Sequence, residues 1–371
     1  VGQVTAARHC HQWLRRCLRS VPPALAVATF PVSLLVLACA ALLSFGLTAA
    51  IKPTLLRYAL AKPNSRSSHN IATPQGGGAA VIVAALAVAS LGIALVELEM
   101  PAPVKLLFGA TLFIAAIGAI DDFRSIPVLP RLACQALAVG AVLMALPADA
   151  RIVAQCPLWL ERGLLLIAGL WFVNLVNFMD GLDWMTVAET IPVAGTLAAF
   201  GIAGHVQPAT ALTMTALTGA MIGFAPFNRP VAKLFLGDVG SLPIGLLLGW
   251  ALLELAVQGH VAAALLLPLY YLADATITIL RRALNRERIW SGHRTHFYQR
   301  ATDNGFVVIQ VVATVFALNL ILAALALATI FWTTLTGQFT LLLFGVAAVT
   351  TVLTRFGRSR GISTKARHGI D

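Results

Sequence analysis

Stretches of about 20 apolar residues, separated by short polar connections, recur along almost the whole of this 371-residue chain. A helix that crosses a bilayer core of roughly 30 Å needs about 20 apolar residues, because each residue advances a helix by about 1.5 Å. Only 11% of the residues are charged and 59% are apolar, whereas soluble domains carry about 25% charged residues. The sequence therefore predicts an all-α, polytopic integral membrane protein and excludes a soluble globular fold.

Charged residues, glycines and prolines bound the apolar stretches and predict about 10 to 11 transmembrane helices. The stretches lie near residues 31–51, 77–96, 104–120, 132–147, 163–179, 187–204, 208–226, 239–257, 261–280, 306–331 and 338–354. We expect a single transmembrane domain over residues 31–354. A basic N-terminal segment, 1–30, precedes it, and a basic cytoplasmic tail, 355–371, follows it.

Lys and Arg are distributed unequally between alternate connections. One set of connections, with the C-terminal tail, carries 19 of them, and the opposite set carries only Lys105, Arg151 and Arg162. Because Lys and Arg are retained on the cytoplasmic side of a membrane, the first set and the C-terminus are predicted to be cytoplasmic. This asymmetry explains the net charge of +11 better than nucleic-acid binding does, and no nucleic-acid partner is expected.

The placement of the basic segment 1–30 stays open, because an odd number of spans puts its four arginines on the outer side. A different start site, an amphipathic helix on the membrane surface, or an additional hairpin within 21–51 would each remove the conflict.

Five aspartates stand at the predicted cytoplasmic ends of three apolar stretches. They are Asp121, Asp122, Asp180, Asp183 and Asp238. Ionisable groups in membrane segments are costly and usually functional, so five at one face favour an active site over simple solvation of helix ends. The adjacent pair, Asp121 and Asp122, either shares a cation or separates its pKa values, which allows one carboxylate to act as a general base.

Amides accompany two of these carboxylates in N-L-V-N-F-M-D-G-L-D, where Asn174, Asn177, Asp180 and Asp183 follow at spacings of three. This spacing predicts that they share one helical face. Amides and carboxylates together suit polar ligands and the oxygen shell of a metal ion, although a turn at Asp180 fits equally well. In F-L-G-D-V-G-S-L-P, Asp238 is either a ligand of a hard cation such as Mg²⁺ or a helix cap.

Two polar loops carry basic side chains suited to phosphate. The loop that follows residue 280 contains His293, Arg294 and His296 among further arginines, and arginine forks favour a phosphate partner over a zinc site. The loop K-P-N-S-R-S-S-H-N-I-A-T-P-Q-G-G-G contains Arg66 and His69 and ends in three glycines. It is either a phosphate cradle or a flexible connector.

Together and in this order, the motifs over roughly residues 50–305 resemble the polyprenyl-phosphate N-acetylhexosamine-1-phosphate transferase family. These motifs are R-S-S-H with T-P-Q-G-G-G, D-D-F, N-F-M-D-G-L-D, F-L-G-D-V-G-S and H-R-T-H-F-Y-Q-R. The resemblance implies an enzyme that transfers an N-acetylhexosamine 1-phosphate from a UDP-sugar to undecaprenyl phosphate and releases UMP. It also implies dependence on Mg²⁺, with Mn²⁺ as an alternative, and an active site at the cytoplasmic face.

Within the family, the motifs are most similar to those of the initiators of O-antigen, common-antigen and teichoic-acid synthesis. The sugar implied is GlcNAc or a related N-acetylated deoxyhexose. The resemblance also implies a place in the bacterial inner membrane and contact with membrane lipid. Whether the protein forms a homodimer stays open.

The resemblance implies roles for individual residues. Asp238 would hold Mg²⁺ with help from Asn177, and Asp121, supported by Asp122, is the candidate base for the lipid phosphate. The remaining candidates would bind substrate. Asp183 would lie near uracil, Arg131 would bind a phosphate, and the diphosphate or sugar would contact His293, Arg294 and His296. Four further substrate-binding candidates without a more specific role are Asn174, Asp180, Arg66 and His69. Direct attack by the lipid phosphate and a covalent aspartyl intermediate both fit the sequence.

The chain departs from the family pattern at two places. Trp184, Met185 and Thr186 stand where Gly-Leu-Ala is expected, and Gln75 stands where an arginine is usual. Two other functions remain open at this point. One is a transporter or flippase of an anionic sugar-phosphate or lipid-linked sugar, and the other is a scaffold that has lost its activity.

Overall fold

A computed structural model describes residues 23–61, 72–96, 99–288 and 293–359, and this part of the chain is almost wholly helical. The helices are α1 (Pro23–Tyr58), α2 (Gly78–Leu95), α3 (Ala102–Phe123), α4 (Val128–Met144), α5 (Leu158–Met179), α6 (Met185–Ile202), α7 (Pro208–Phe224), α8 (Asp238–Val257), α9 (Val261–Leu266), α10 (Leu269–Leu284), α11 (Phe297–Asp303), α12 (Val308–Ala328) and α13 (Leu335–Gly357). One short antiparallel pair joins β1 (Leu60–Ala61) to β2 (Thr73–Pro74), with Leu60 opposite Pro74. The predicted all-α class is confirmed.

Eight of the described helices are long and apolar enough to cross a membrane, and α4 and α7 are shorter apolar helices of 17 residues each. The stretch predicted as one span at 261–280 instead forms two helices, α9 and α10, which are separated by Leu267 and Pro268. A proline has no backbone N–H to donate within a helix, which accounts for a break at this point. Each of the other predicted stretches corresponds to one helix.

Helix α1 is continuous from Pro23 to Tyr58, with Pro31 and Pro53 inside it. The hairpin considered for residues 21–51 is therefore wrong, because most of that segment is one helix. Residues 1–22 lie outside the described residues, and the placement of the basic segment remains a prediction.

Packing brings the helices that carry the candidate residues around α8, which is buried along most of its length. Helices α3 and α5 both pack against α8, and α4 lies between α3 and α5. Hydrogen bonds from Asp238 to Asp122 of α3 and from Asn177 of α5 to Asp238 show that the C-termini of α3 and α5 meet the N-terminus of α8 at one end of the bundle. This end is called the acidic end below, after the aspartates that it collects.

The other end of the bundle has a different set of polar contacts. Arg151 pairs with Glu161 between α4 and α5, and the rings of His205 and His260 share a hydrogen bond of 3.0 Å between the α6–α7 and α8–α9 connections. Burial lowers the pKa of both histidines, and the proximity of His205 lowers that of His260 further. These residues lie away from the predicted site.

Candidate active site

The acidic end is organised around the first residues of α8, which touch the last turns of α3. A Cβ atom at Gly118 would lie 2.3 Å from the Asp238 carbonyl oxygen and 2.7 Å from the Val239 nitrogen, so only glycine permits this approach. One turn further along α3, the Asp122 carboxylate accepts hydrogen bonds from the backbone N–H groups of Asp238 at 2.9 Å and Val239 at 3.1 Å. Asp122 thus caps α8 at the end where the helix dipole favours negative charge.

Arg131 lies between two carboxylates. Its Nη1 atom donates to Asp121 Oδ2 at 2.8 Å and stands 3.6 Å from Asp238 Oδ2, while the other Asp121 oxygen accepts the Ile126 N–H at 2.5 Å. The Asp238 side chain is 26% exposed and that of Asp121 only 9%. Asp238 is therefore the carboxylate of this pair that is more open to a ligand from solution.

Asn177, on the last turns of α5, fixes the other oxygen of Asp238. Its Nδ2 atom donates to Asp238 Oδ1 at 2.8 Å and to Ser241 Oγ at 2.9 Å. The predicted pairing of Asn177 with Asp238 is therefore present as a direct hydrogen bond. With its amide nitrogen committed in this way, Asn177 keeps its carbonyl oxygen as an acceptor or metal donor.

Asp180 lies just after the end of α5, and its Oδ1 atom accepts a hydrogen bond from the Thr186 hydroxyl. Burial, together with the charges of Asp238, Asp122 and Asp183, raises the pKa of Asp180 from 3.8 to about 8, against the opposing effect of the Thr186 hydrogen bond. Four aspartates thus stand within electrostatic reach of one another. A divalent cation would relieve their mutual repulsion and lower this pKa.

Asp183 and Trp184 connect the start of α6 to the loop between α7 and α8. The buried Asp183 carboxylate accepts the Ala232 N–H at 2.9 Å. Trp184 has a φ angle of 62°, its backbone N–H donates to Asn228 Oδ1 at 2.7 Å, and its indole N–H donates to the Ala225 carbonyl at 2.6 Å. Trp184 thus adopts a left-handed conformation that favours glycine, the residue expected here from the family pattern.

The histidines belong to a short segment that leads into α11. The rings of His293 and His296 are stacked with centroids 4.9 Å apart, and His296 is 2% exposed, with Nδ1 3.4 Å from Asp274 Oδ1. The Tyr298 hydroxyl donates to the Phe178 carbonyl at 2.9 Å. This bond fastens the histidine segment to the end of α5, beside Asn177 and Asp180.

Asp274, on α10, is a site-supporting residue that the sequence motifs missed. It is fully buried and accepts the backbone N–H groups of Phe297 at 2.9 Å and Tyr298 at 3.0 Å, which fixes the start of α11. Burial and the nearby Asp274 raise the pKa of Tyr298 well above 10, so this hydroxyl remains a donor. Asp274 could have been noticed in the sequence because it is an ionisable residue inside a predicted span, and such residues usually make functional or structural polar contacts.

Four predicted residues are placed differently from the rest. Asn174 is buried one turn inside α5 and donates to Gln135 Oε1 at 2.6 Å, so the structure does not bring it into the carboxylate cluster. Arg294 is 27% exposed and lies 3.9 Å from Asp303. Arg66 and His69 fall outside the described residues.

The glycine-rich segment packs against α8 and its preceding loop. The N–H groups of Gly77 and Gly78 donate to the carbonyl groups of Phe235 and Leu236 at 3.0 and 2.8 Å. Gln75, which replaces an expected arginine, donates to the Asp122 carbonyl at 2.6 Å. The N–H groups of Gly77 and Gly78 therefore already have backbone partners, which argues against a phosphate cradle formed by these two glycines.

The oxygen donors at the acidic end fit a magnesium site in which the substrate supplies some of the metal ligands. Among the described residues, no three His, Cys, Asp or Glu side chains stand close enough to form a ready-made metal cage. Mg²⁺ usually needs only one or two carboxylates, with substrate phosphates and water as its other ligands. Asp238 and the carbonyl oxygen of Asn177, with the Asp180 carboxyl group nearby, meet that requirement.

Comparison with known proteins gives one matching family and several relatives. The family described as "Glycosyl transferase family 4" matches residues 104–256. The chain is 27% identical, over 77% of its own length and 82% of the relative's, to the "Probable undecaprenyl-phosphate N-acetylglucosaminyl 1-phosphate transferase" of Bacillus subtilis. It is 28% identical, over 85% of both chains, to the "Decaprenyl-phosphate N-acetylglucosaminephosphotransferase" of Mycolicibacterium smegmatis.

A more local similarity extends to a third kind of relative. The chain is 30% identical, over 47% of its length and 56% of the relative's, to a "Phospho-N-acetylmuramoyl-pentapeptide-transferase" of Streptococcus pneumoniae. The matched family region begins within α3 and ends within α8, the two helices that meet at Gly118 and Asp238.

Proposed function

Since the chain belongs to the polyprenyl-phosphate N-acetylhexosamine-1-phosphate transferases of glycosyl transferase family 4, we propose the particular reaction that its site carries out. The enzyme transfers the sugar 1-phosphate of UDP-GlcNAc, or of a related UDP-linked N-acetylated deoxyhexose, to undecaprenyl phosphate. UMP leaves, and a lipid-linked sugar diphosphate is formed. This would be the first membrane step in the synthesis of a bacterial surface polysaccharide or cell-wall polymer.

The observation that carries this proposal is the cluster of Asp121, Asp122, Asp180 and Asp238, with Arg131 shared between two of them, at one end of a membrane bundle. Donor and acceptor are both anionic, and two unit charges about 4 Å apart repel by roughly 4 kcal/mol at an effective dielectric of 20. A site that joins them needs a cation, basic side chains and access from both water and lipid. An end of the bundle offers this access, whereas a transporter would place its ionisable groups near the membrane centre, between related halves.

We assign Mg²⁺ to Asp238, with Asn177 beside it, and Mn²⁺ as a substitute. When bound, the ion would neutralise charge on the diphosphate of the donor. Asp122 holds the start of α8, and with it Asp238, in place through its two backbone hydrogen bonds. Asp121, oriented by Arg131, remains our candidate to accept a proton from the lipid phosphate.

The other candidates surround this centre. Arg131 faces the carboxylates with one atom and can meet a phosphate with the rest of its planar fork. His293, stacked on His296, and the partly exposed Arg294 stand on the segment held by Tyr298, where they would contact the diphosphate or sugar. Asp183 anchors the loop between α7 and α8, which we assign to the uridine side of the pocket.

We further propose that residues 31–354 act as one transferase domain in the bacterial inner membrane, with the acidic end facing the cytoplasm. The excess of Lys and Arg in the connections that join helices at this end supports that orientation. The activated sugar is a cytoplasmic, water-soluble anion, so the site must open on that side.

Product identification tests the proposed reaction. Purified protein in detergent would be supplied with undecaprenyl phosphate, Mg²⁺ and each of a panel of UDP-N-acetylhexosamines, and lipid products would be identified by mass spectrometry. We expect one donor to give a lipid-linked sugar diphosphate and an equal amount of UMP. A folded sample that makes no such product from any donor, but moves a sugar-phosphate across liposome membranes, would overturn the proposal in favour of transport.

A further inference from the structure

A group of buried polar side chains extends inward from Asp180 along α6. Thr186, Glu189 and Thr190 lie at spacings of three and four residues, so they share one face of this helix. They are 2%, 2% and 0% exposed. The face is directed toward α10 and α12, whose Tyr271 and Asn319 are each 1% exposed.

Direct contacts connect this group at both ends. At the outer end, the Thr186 hydroxyl donates to Asp180. At the inner end, Asn319 Nδ2 donates to Glu189 Oε2 at 2.6 Å and to the Ala188 carbonyl at 3.0 Å. Between them, the Tyr271 hydroxyl lies beside the Thr186 side chain and within electrostatic reach of the Asp180 and Glu189 carboxyl groups.

Four atoms in this group are buried without a hydrogen-bond partner in the described part of the chain: Tyr271 Oη, Glu189 Oε1, Thr190 Oγ1 and Asn319 Oδ1. Buried polar atoms in native proteins are nearly always paired, directly or through ordered water. Here two hydroxyl donors accompany two oxygen acceptors. Donors and acceptors in this group are therefore of complementary kinds.

Asp180 needs such support because of its position. Its carboxylate lies at the C-terminus of α5, where the helix dipole disfavours negative charge. Thr186 supplies a compensating donor, and it stands where the family pattern leads one to expect alanine. The chain thus carries a hydroxyl that the resemblance alone does not account for.

We propose that Thr186, Tyr271, Glu189 and Asn319 form a buried polar column that holds the Asp180 carboxylate in the orientation needed for sugar-phosphate transfer. The column rests on the proposed function, since Asp180 is assigned to that site. Thr186 and Glu189 are positioning residues, because they act through Asp180 and do not touch substrate. Glu189, held by Asn319, is the inner anchor.

Removing the Thr186 hydroxyl tests the outer end of the column. Thr186→Val keeps the side-chain shape, whereas Thr186→Ser keeps the hydroxyl. We expect Thr186→Val to lower kcat by about tenfold to one hundredfold, the value of a hydrogen bond to a charged group, with a smaller change in KM for the UDP-sugar. Thr186→Ser should retain most of the activity.

Thr213→Val is the matched control for this pair. Thr213 is equally buried, but its hydroxyl donates at 2.7 Å to Ala209 on its own helix, α7. Its substitution should leave kcat within about twofold of the wild-type value. If Thr186→Val and Thr213→Val reduce kcat equally, or if Thr186→Ser is as impaired as Thr186→Val, the positioning role is overturned.

The inner end is tested by Glu189→Gln, alone and combined with Thr186→Val. Members of one network give non-additive effects, so the double variant should be about as active as Thr186→Val alone. Losses that multiply in the double variant would overturn the column while leaving the transferase reaction intact. By contrast, a wild-type protein that transfers no sugar phosphate would overturn the proposed function, and the column's role with it.

Discussion

At the scale of single residues, the site combines carboxylates that belong to different helices and shares one guanidinium between two of them. Arg131 contacts Asp121 and approaches Asp238, which lie 117 positions apart in the sequence and are 9% and 26% exposed. The planar fork of an arginine suits this bridging position, because it can contact two oxygens and still present donors to a phosphate.

Substitution of Arg131 tests this bridge. We expect Arg131→Ala to lower kcat/KM by about one hundredfold and Arg131→Lys by about tenfold, since lysine keeps the charge but loses the fork. Steady-state UMP release at saturating Mg²⁺ measures the effect. Lys233→Ala removes an exposed cation from the loop before α8 and serves as the control. An Arg131→Ala enzyme as active as Lys233→Ala would contradict the assignment.

Asp180 makes the stability of the metal-free protein depend on pH. Its folded-state pKa of about 8 lies above its ordinary value of 3.8. Between these values the folded protein retains a proton that the unfolded chain has lost, so the free energy of unfolding falls as pH rises, by at most about 1.4 kcal/mol per pH unit.

Thermal unfolding in EDTA at pH 6 and pH 8 measures this dependence. We expect the wild-type Tm to fall between the two values and the Asp180→Asn variant to show a smaller fall. Mg²⁺ should restore the wild-type Tm more at pH 8 than at pH 6. An identical pH dependence in Asp180→Asn would contradict the raised pKa of Asp180.

The sequence identified the site carboxylates because charge is conspicuous against an apolar background. It did not separate Asn174 from Asn177, since the spacing of three describes one helix and says nothing of its neighbours. Asn174 faces Gln135 of α4, and Asn177 faces Asp238 of α8. The role of Asp274 was not predicted for a similar reason, because its partners are backbone N–H groups more than 20 positions further along the chain.

At the scale of helices, the position of the site depends on a contact between backbones. Gly118 on α3 touches the first residues of α8, and Asp122 caps that helix one turn later. In a membrane, small residues at helix interfaces permit such close approach and the packing that comes with it. The two helices therefore act together in placing Asp238.

Gly118→Ala tests this contact, with Gly109→Ala on the same helix as the control. The new methyl group at 118 would meet the backbone of α8 at 2.3 Å, whereas the one at 109 has no atom within 4 Å. Overpacking typically costs about 1–3 kcal/mol, so we expect Gly118→Ala to lower Tm and remove most of the transferase activity. Gly109→Ala should be neutral or slightly stabilising. Equal behaviour of the two variants would refute the role of this contact.

Helix formation itself was predictable, because each apolar stretch must satisfy its backbone hydrogen bonds internally within a bilayer. The division of 261–280 into α9 and α10 was not, although Pro268 marks the break. The glycines at 76–78 suggested a phosphate cradle, and only the long-range pairing of Gly77 and Gly78 with Phe235 and Leu236 shows their packing role.

At the scale of the whole molecule, the polar chemistry is divided between the two ends of the bundle. The acidic end carries the carboxylates, Arg131 and the histidine segment, and the opposite end carries the Arg151–Glu161 pair and the His205–His260 pair. The excess of Lys and Arg in every second connection predicts which face of the membrane carries the site. It could not reveal which helices meet at the site, since that depends on contacts between distant segments.

The proposed orientation is open to a labelling experiment. Single cysteines would be introduced into a variant whose five native cysteines are replaced. Leu335→Cys would report the solvent access of the end opposite the site, and Leu284→Cys that of the end of α10 near the site. The Leu335 and Leu284 side chains are 88% and 83% exposed. A membrane-impermeant maleimide applied to intact spheroplasts should label Leu335→Cys, whereas Leu284→Cys should react only after permeabilisation. The reverse pattern would place the acidic end outside and contradict the proposed orientation.

The central claim is that the carboxylate cluster at the start of α8 is a metal-dependent transferase site. Its most direct test is UMP release by wild type, Asp238→Asn and Asp149→Asn, each with Mg²⁺ and with EDTA. Asp149 is an exposed aspartate between α4 and α5, at the other end of the bundle. We expect Mg²⁺-dependent release from wild type and Asp149→Asn, and a loss of at least about one hundredfold in Asp238→Asn at unchanged Tm. Undiminished Mg²⁺-dependent release from a folded Asp238→Asn enzyme would contradict the claim.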